Sequence, residues 1–482
     1  MAGTRDGRTE DTAEVRGITL KVLSVLQTML FVLAQVEAPL SPASVVPAIH
    51  ADLATLPVEL RPRVRYLSLY KKTFQQRLSF IAVLNGHVNH LSREPDLGRV
   101  SVVGSTAAAL VRVVLDDYGW SAKTWDKFTD PYFSVTVDVP WGTYDKAGNF
   151  RQTRVVRSRA IAPWIATGHE QQVAEIVSWT QSKVFVCAAD WWLDQTSAGE
   201  DRSPNYYDML GITTEKDFDD AVGFDARLAQ RFAAVARDAV SVSAITRHDR
   251  AIVALGKIRG TKFKTLDHGK DKAGSALRVL GADADKGFDA SEQIAALPNK
   301  LFAYGLFDNK GARQDKAPEN IVRQRVDVYR SCIECHQDRG LQDVTSWVQP
   351  LLRGGLNLQS PDYLKARELR REYLDGLGEL ITEERVKYDR RIKEATGLDF
   401  KAWSAALTKA LHDYETGPVT LDVAAADLGV TPAKWRSALE GRAKAGIGDT
   451  VLSPLLVGGS VTRSVWENEY ASAQLILGGY QQ

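Results

Sequence analysis

Residues 329–340 read YRSCIECHQDRG, so Cys332, Cys335 and His336 gather two of the chain's three cysteines and one of its eight histidines into five positions. Two thiols two residues apart, with an imidazole next in line, must be brought to one side of a single helical turn, and the rest of the chain has to allow that. Pro318 and Glu319 suit the first turn of a helix. Val322, Val326, Tyr329 and Ile333 then recur on one apolar face, and Gly340 can end it. The spacing predicts a helix that runs from 318 through the motif. A Cys-x-x-Cys-His turn suits covalent capture of a haem: two thioethers form with the vinyl groups, and the His336 imidazole reaches the iron as proximal ligand. One covalent haem c is therefore the expected cofactor.

Two other chemistries use paired cysteines. A thioredoxin-like pair needs a preceding strand and a helix N-terminus to lower a thiol pKa, whereas here a helix is expected to lead into the motif. A structural zinc site needs a fourth ligand and usually a second Cys or His pair, which the neighbouring sequence lacks. Three cysteines are too few for a disulfide framework. The charge balance, 61 Lys and Arg against 60 Asp and Glu, gives no support for nucleic-acid binding.

The N-terminus carries the parts of an export signal. Arg5, Arg8, Arg16 and Lys21 precede the apolar run VLSVLQTMLFVLA from Val22 to Ala34, with small residues at Ala34 and Ala38 as cleavage positions. The run is shorter than the roughly 20 residues that span a bilayer, and no other stretch is apolar enough. The competing reading is an amphipathic first helix with Val22, Leu26, Met29 and Leu33 inward. The expected organisation is a signal peptide over 1–38, an α+β body over 39–345 that ends in the haem-attachment segment, and an all-helical region over 346–482. A periplasmic or secreted location follows from the leader.

Within the body, residues 40–95 read as helical, with Leu78, Ile81, Val88 and Leu91 on one face. β-branched runs broken by Gly, Pro and Asp fill 100–160, and helical signal returns at 169–195 and 223–245. KLFAYGLF at 300–307 reads as a buried strand followed by the turn DNKG. LDVAAADLGVTPAKWRSALE at 421–440 reads as a helical hairpin with its turn at Gly429, and Cys187 as a buried, inert thiol. No phosphate-binding glycine loop and no serine nucleophile elbow is present.

The second iron ligand is harder to read. The only methionines are Met1, Met29 and Met209, none of them downstream of the motif, and Met209 in YYDMLGI reads as a packed helical side chain. His412 lies off the Trp403, Leu407 and Leu411 face of its helix and reads as solvated. His87 and His90 read as surface or part-buried, and His169 lacks the second histidine of a zinc-protease helix. His248 in ITRHDR and His268 in LDHGKD sit in polar, loop-like surroundings and are the first choices for a distal ligand. An open sixth position is the alternative.

The chain resembles a family of large secreted bacterial proteins with a single c-type cytochrome motif. The carrying residues are DDYGW (116–120) with Trp125, PNYYDMLGI (204–212), LPNKLFAYGLFDNKGARQDKAPENIV (297–322) leading into SCIECH, AAADLGVTPAKW (424–435) and PLLVGGSVTRSVWE (454–467). Relatives carry a histidine and paired glycines just before the LPN segment, where this chain reads FDASEQIAALPN. The resemblance implies a haem-binding electron-transfer component and names no substrate. The expectation is an exported single-haem c-type cytochrome that passes electrons to a redox partner protein. Its alternatives are a peroxidase-like haem enzyme, and a haem sensor or scaffold with an open sixth position.

Overall fold

The computed structural model describes residues 44–104, 109–128, 134–147, 150–161, 169–197, 204–225, 235–240, 250–257, 260–267, 288–342, 353, 357–372, 377–444 and 451–478. The expected leader and the two histidines proposed for the distal position, His248 and His268, lie outside the described residues.

The fold is α+β, with two larger sheets and helices packed against them. The first sheet has the strand order β2–β3–β1–β6, where β1 is Val64–Ser68, β2 Ser101–Val102, β3 Leu110–Val114 and β6 Val186–Ala188. β1 pairs antiparallel with β3, Val64 facing Val114, and parallel with β6, Tyr66 facing Val186. All five β1 residues are buried because both sheet faces are covered. Val64 and Tyr66 meet helix α1 (Val45–Thr55) through Val46, Ile49 and Leu53, while Leu67 joins the larger core on the other side. The second sheet is an antiparallel meander of β7 (Val235–Val240), β8 (Arg250–Lys257), β9 (Gly260–Asp267), β10 (Ala290–Ala296) and β11 (Phe302–Asp308). A separate hairpin joins β4 (Ser134–Tyr144) to β5 (Phe150–Ile161).

Short strands inside helical-looking sequence account for the main differences from expectation. β1 interrupts 40–95, β6 interrupts 169–195, and β7 occupies part of 223–245. An apolar run of three to six residues carries too few periods to separate a buried strand from a helix turn. Helix α2, Phe74–His90, starts at a Thr73–Gln76 capping box. Its inward face is Phe80, Val83, Leu84 and Val88, while Leu78 is 43% exposed and Ile81 only partly covered.

The strand expected at 300–307 is β11, and Gly311 closes the following turn at φ +78°, donating to the Asp308 carbonyl at 3.1 Å. β11 is an edge strand whose outer N–H groups would lack partners. Tyr206 and Tyr207, on α6 (Tyr206–Leu210), supply them: the Tyr304 amide donates to the Tyr206 hydroxyl at 2.9 Å and the Leu306 amide to the Tyr207 hydroxyl at 2.6 Å.

Among the described residues the regular structure of the C-terminal region is helical apart from a two-residue ribbon, Val419–Thr420 with Ser460–Val461. It packs directly on the body. Helices α10 (Gly378–Thr396) and α11 (Phe400–Thr416) lie against α2, and one apolar cluster runs from Leu67 to Ala473. Gly86 of α2 is required for this: a Cβ there would stand 2.1 Å from Nε1 of Trp403. The expected hairpin forms as α12 (Leu421–Asp427) and α13 (Pro432–Lys444), with Gly429 at φ +68°. Asp427, at the end of α12, is the buried anchor. It pairs with Lys71 at 2.6 Å and Arg463 at 2.9 Å and accepts from Trp466 Nε1 at 2.9 Å, and Lys71 also pairs with Asp190 at 2.9 Å. Asp427→Ala removes the buried anion that Arg463 and Lys71 share and leaves Lys71 with Asp190, and the expected loss is about 3–5 kcal/mol in urea unfolding. A change under about 1 kcal/mol would mean the cluster does not hold the region in place.

Candidate functional site

The motif sits on a short helix, α8, Arg330–His336, preceded by a backbone conformation that few residues tolerate. Tyr329 has φ +63° and ψ −64°, and the Arg330 amide donates back to the Val328 carbonyl at 2.8 Å. This is a γ-turn of the positive-φ kind, which is rare and strained. A side chain held there costs on the order of 1–3 kcal/mol, and such positions cluster at functional sites. The helix expected to begin at 318 therefore does not form. Instead 315–328 doubles back on itself, with the Ala317 amide on the Val326 carbonyl at 2.9 Å and the Val328 amide on the Asp315 carbonyl at 3.1 Å. Ile321, Val322, Val326 and Val328 are still buried, from a loop rather than a helix face. At the other end Gly340, at φ +75°, donates to the His336 carbonyl at 2.8 Å, and a Cβ there would come within 2.7 Å of the Tyr388 ring.

Cys332, Cys335 and His336 are each partly exposed, and the two cysteines are not bridged to each other. Cys332 packs against the apolar cluster, and burial pushes its thiol pKa up, with the Glu292 carboxylate adding to the shift. The Cys335 thiol is pushed up to about 11 by burial, then by Glu292 and Glu334. A dithiol catalyst needs the opposite shift, towards thiolate. Among the described residues no group of three or more His, Cys, Asp or Glu side chains is placed to hold a metal ion. A zinc ion would lack a fourth ligand there, while two neutral thiols beside an imidazole are a donor set that fits a thioether-bound haem.

Under the motif lies a buried layer of rings. Tyr329 stacks on Tyr206 with ring centroids 4.7 Å apart, and Tyr304 meets it edge-on at 6.0 Å. His87 and His90, expected at the surface or part-buried, are fully buried. Their three-residue spacing puts both on the face of α2 that the motif and the C-terminal helices cover. His87 Nδ1 lies 2.9 Å from the Tyr329 hydroxyl and Nε2 lies 2.7 Å from Thr196 Oγ1. His90 Nδ1 lies 2.7 Å from the Gly86 carbonyl and Nε2 lies 2.7 Å from the Tyr388 hydroxyl, with the Trp403 indole stacked on the ring at 4.8 Å. Both nitrogens of both rings are thus committed to hydrogen bonds within the core.

The remaining expected residues are placed as follows. Met209 is buried in α6 as a packed side chain, Cys187 is fully buried with its thiol pKa raised by burial, and His412 is exposed. His169 precedes helix α4 (Glu170–Thr180) half-buried, and His50 pairs with Glu175 at 2.6 Å. Three of the segments quoted above, 116–120, 204–212 and 297–322, are tied to α2 and to one another. Asn299 donates to the Asn89 carbonyl at 2.7 Å, Arg313 pairs with Asp208 at 3.1 Å, and Trp120 donates to the Leu91 carbonyl at 2.8 Å. No family, no curated protein and no solved structure was found to match the chain.

The buried imidazoles give the site an acid sensitivity. Burial lowers the His90 pKa to about 4, and burial followed by the neighbouring His90 holds that of His87 well below its ordinary value. The folded pKa lies below the unfolded value near 6.5, so the contribution is complete above about 6.5 and is lost as pH falls towards 4. For His90 alone this is roughly 3 kcal/mol. Urea unfolding repeated between pH 7 and pH 4.5 is expected to lose stability steadily, and a flat profile would contradict the neutral, buried pair.

Proposed function

We propose that the chain is an exported c-type cytochrome carrying one haem at Cys332, Cys335 and His336 and exchanging single electrons with a partner protein. The observation that carries this reading is the partly exposed Cys-x-x-Cys-His turn itself, with unbridged, protonated thiols and no further metal ligands among the described residues. A bound haem would supply a one-electron iron couple. Cys332 and Cys335 would hold the ring by thioethers, and His336 would be the proximal ligand.

The small pocket beneath β10 and β11, lined by Ser291, Glu292, Leu306, Gln314 and Ile321 among others, has a volume of about 10 Å3. That is room for a single water, not a porphyrin. The ring would therefore lie against the exposed side of α8. The buried tyrosines below would insulate that face from the core, and the charges on Glu292 and Glu334 would favour the oxidised, more positive iron.

No helix among the described residues is long and apolar enough to cross a membrane. Export rests on the leader-like N-terminus and on the chemistry of the motif. The distal ligand is proposed to be His268 or His248, the histidines in polar, loop-like sequence upstream of the motif; His87 and His90 are committed to buried hydrogen bonds and His50 to Glu175. An open sixth position would instead make the chain a peroxidase-like enzyme or a sensor.

Protein co-produced with a haem-attachment system is expected to stain for haem after denaturing electrophoresis. Cys332→Ala/Cys335→Ala is expected to lose the stain while keeping its circular dichroism. A stain that survives the double change would place the haem elsewhere. In the oxidised spectrum, His268→Ala or His248→Ala is expected to convert low-spin iron to high-spin. Neither doing so, with rapid cyanide binding in the unaltered protein, would favour the open-site alternative.

A further inference from the structure

The polar ends of the rings beneath the motif have defined proton positions. The Thr196 hydroxyl donates to the Trp192 carbonyl at 2.8 Å, so it accepts from His87, whose proton must then be on Nε2. The Nδ1 of His87 is left as an acceptor, and the Tyr329 hydroxyl donates to it. In the same way the Gly86 carbonyl can only accept, so His90 carries its proton on Nδ1 and its Nε2 accepts from the Tyr388 hydroxyl. Each buried phenol therefore faces a neutral imidazole base inside a formed hydrogen bond. Of the two, Tyr329 is the one tied to the motif. It begins the Cys332–His336 helix, its carbonyl accepts from the Ile333 amide at 2.8 Å, and the strained γ-turn fixes where its ring points.

We propose that Tyr329 is a redox-active side chain that gives one electron to an oxidised haem at the adjacent motif while its phenolic proton passes to Nδ1 of His87, an inference that rests on the haem-binding reading. The oxidant is hydrogen peroxide, reduced to water at the iron, so the step also needs the alternative in which the sixth position is open and not filled by His268 or His248. Tyr329 loses one electron and its O–H bond breaks. The proton forms an N–H bond on His87, leaving a neutral tyrosyl radical, an imidazolium still donating to Thr196, and a haem reduced by one electron. The coupling is obligatory in this setting. A phenol cation radical is a far stronger acid than an imidazolium, so the proton leaves with the electron and the positive charge settles on His87, while burial opposes prior ionisation of the hydroxyl.

The protein supplies a continuation as well. His87 meets Trp192 edge-on at 5.4 Å, Trp192 lies 5.9 Å from both Trp120 and Trp125, and Trp120 stacks on Tyr118 at 4.7 Å. Rings in contact exchange electrons rapidly because tunnelling falls steeply with distance. The hole can therefore leave Tyr329 through this row instead of destroying the haem.

The test is freeze-quench electron paramagnetic resonance of the haem-loaded full chain after mixing with hydrogen peroxide. A tyrosyl signal is expected that narrows with ring-deuterated tyrosine, vanishes in Tyr329→Phe, persists in Tyr388→Phe and forms more slowly in D2O. Tyr329→Phe keeps the ring and its packing, so an intact fold and haem spectrum are expected to accompany the loss. A haem-loaded protein with no tyrosyl signal, or one whose signal is unchanged in Tyr329→Phe, overturns the proposal. If no haem attaches at all, the functional reading fails separately. The haem-free chain is then oxidised with photogenerated tris(bipyridine)ruthenium(III). A tyrosyl signal lost on Tyr329→Phe supports the Tyr329–His87 pair as a proton-coupled donor, and its persistence there overturns it.

Discussion

The last turn of α2 is where the parts of this molecule are joined. From four consecutive positions, His87 reaches Tyr329 and Thr196, Asn89 accepts from Asn299 ahead of β11, and His90 holds Tyr388 and Trp403 of the C-terminal helices. None of these groups reaches water, so each hydrogen bond made is one desolvation cost avoided, on the order of 1–3 kcal/mol per group left unsatisfied. The same bonds fix ring orientation in a layer that apolar packing alone would leave adaptable. The motif helix inherits its position from this layer, since Tyr329 is both a member of it and the residue before Arg330.

A second tie runs through charge. Arg330, the first residue of α8, pairs with Glu415 of α11 and approaches Asp194 of α5 (Ala189–Ser197) at 3.6 Å. On the far side of α11, Asp427 gathers Lys71, Arg463 and Trp466. The C-terminal helices are thus locked to the body at two buried or half-buried ionic sites, with Gly86 allowing Trp403 to close between them. An arrangement of this kind makes the helical region part of the platform under the motif and leaves the exposed side of Cys332–His336 as the face a cofactor and a redox partner would share.

Much of this was legible in residues close together in sequence. The motif, the buried strand before DNKG, the hairpin at Gly429, the inert Cys187 and the exposed His412 each follow from local spacing. What was not legible is non-local. His90 and Tyr388 are 298 residues apart, and His87 and Tyr329 are 242 apart. A polar histidine pair whose partners lie so far away in sequence therefore reads as surface or part-buried. The helix expected from Pro318 to the motif failed for a related reason. Val322, Val326 and Tyr329 fit a helical period and are buried, but the backbone of 315–328 satisfies itself across a loop. β1, β6 and β7 were hidden by their shortness, and the two sheets they join, β1 and β6 in the first and β7 in the second, are defined by pairing with strands distant in sequence.

The central claim is that a haem is bonded to the two motif thiols. The most direct measurement is mass spectrometry of the tryptic peptide Ser331–Arg339 from protein produced with a haem-attachment system and exported. The account predicts this peptide heavier by one haem, with fragment ions placing the addition on Cys332 and Cys335. The same peptide recovered only at its unmodified mass, or carrying a Cys332–Cys335 disulfide, would contradict it.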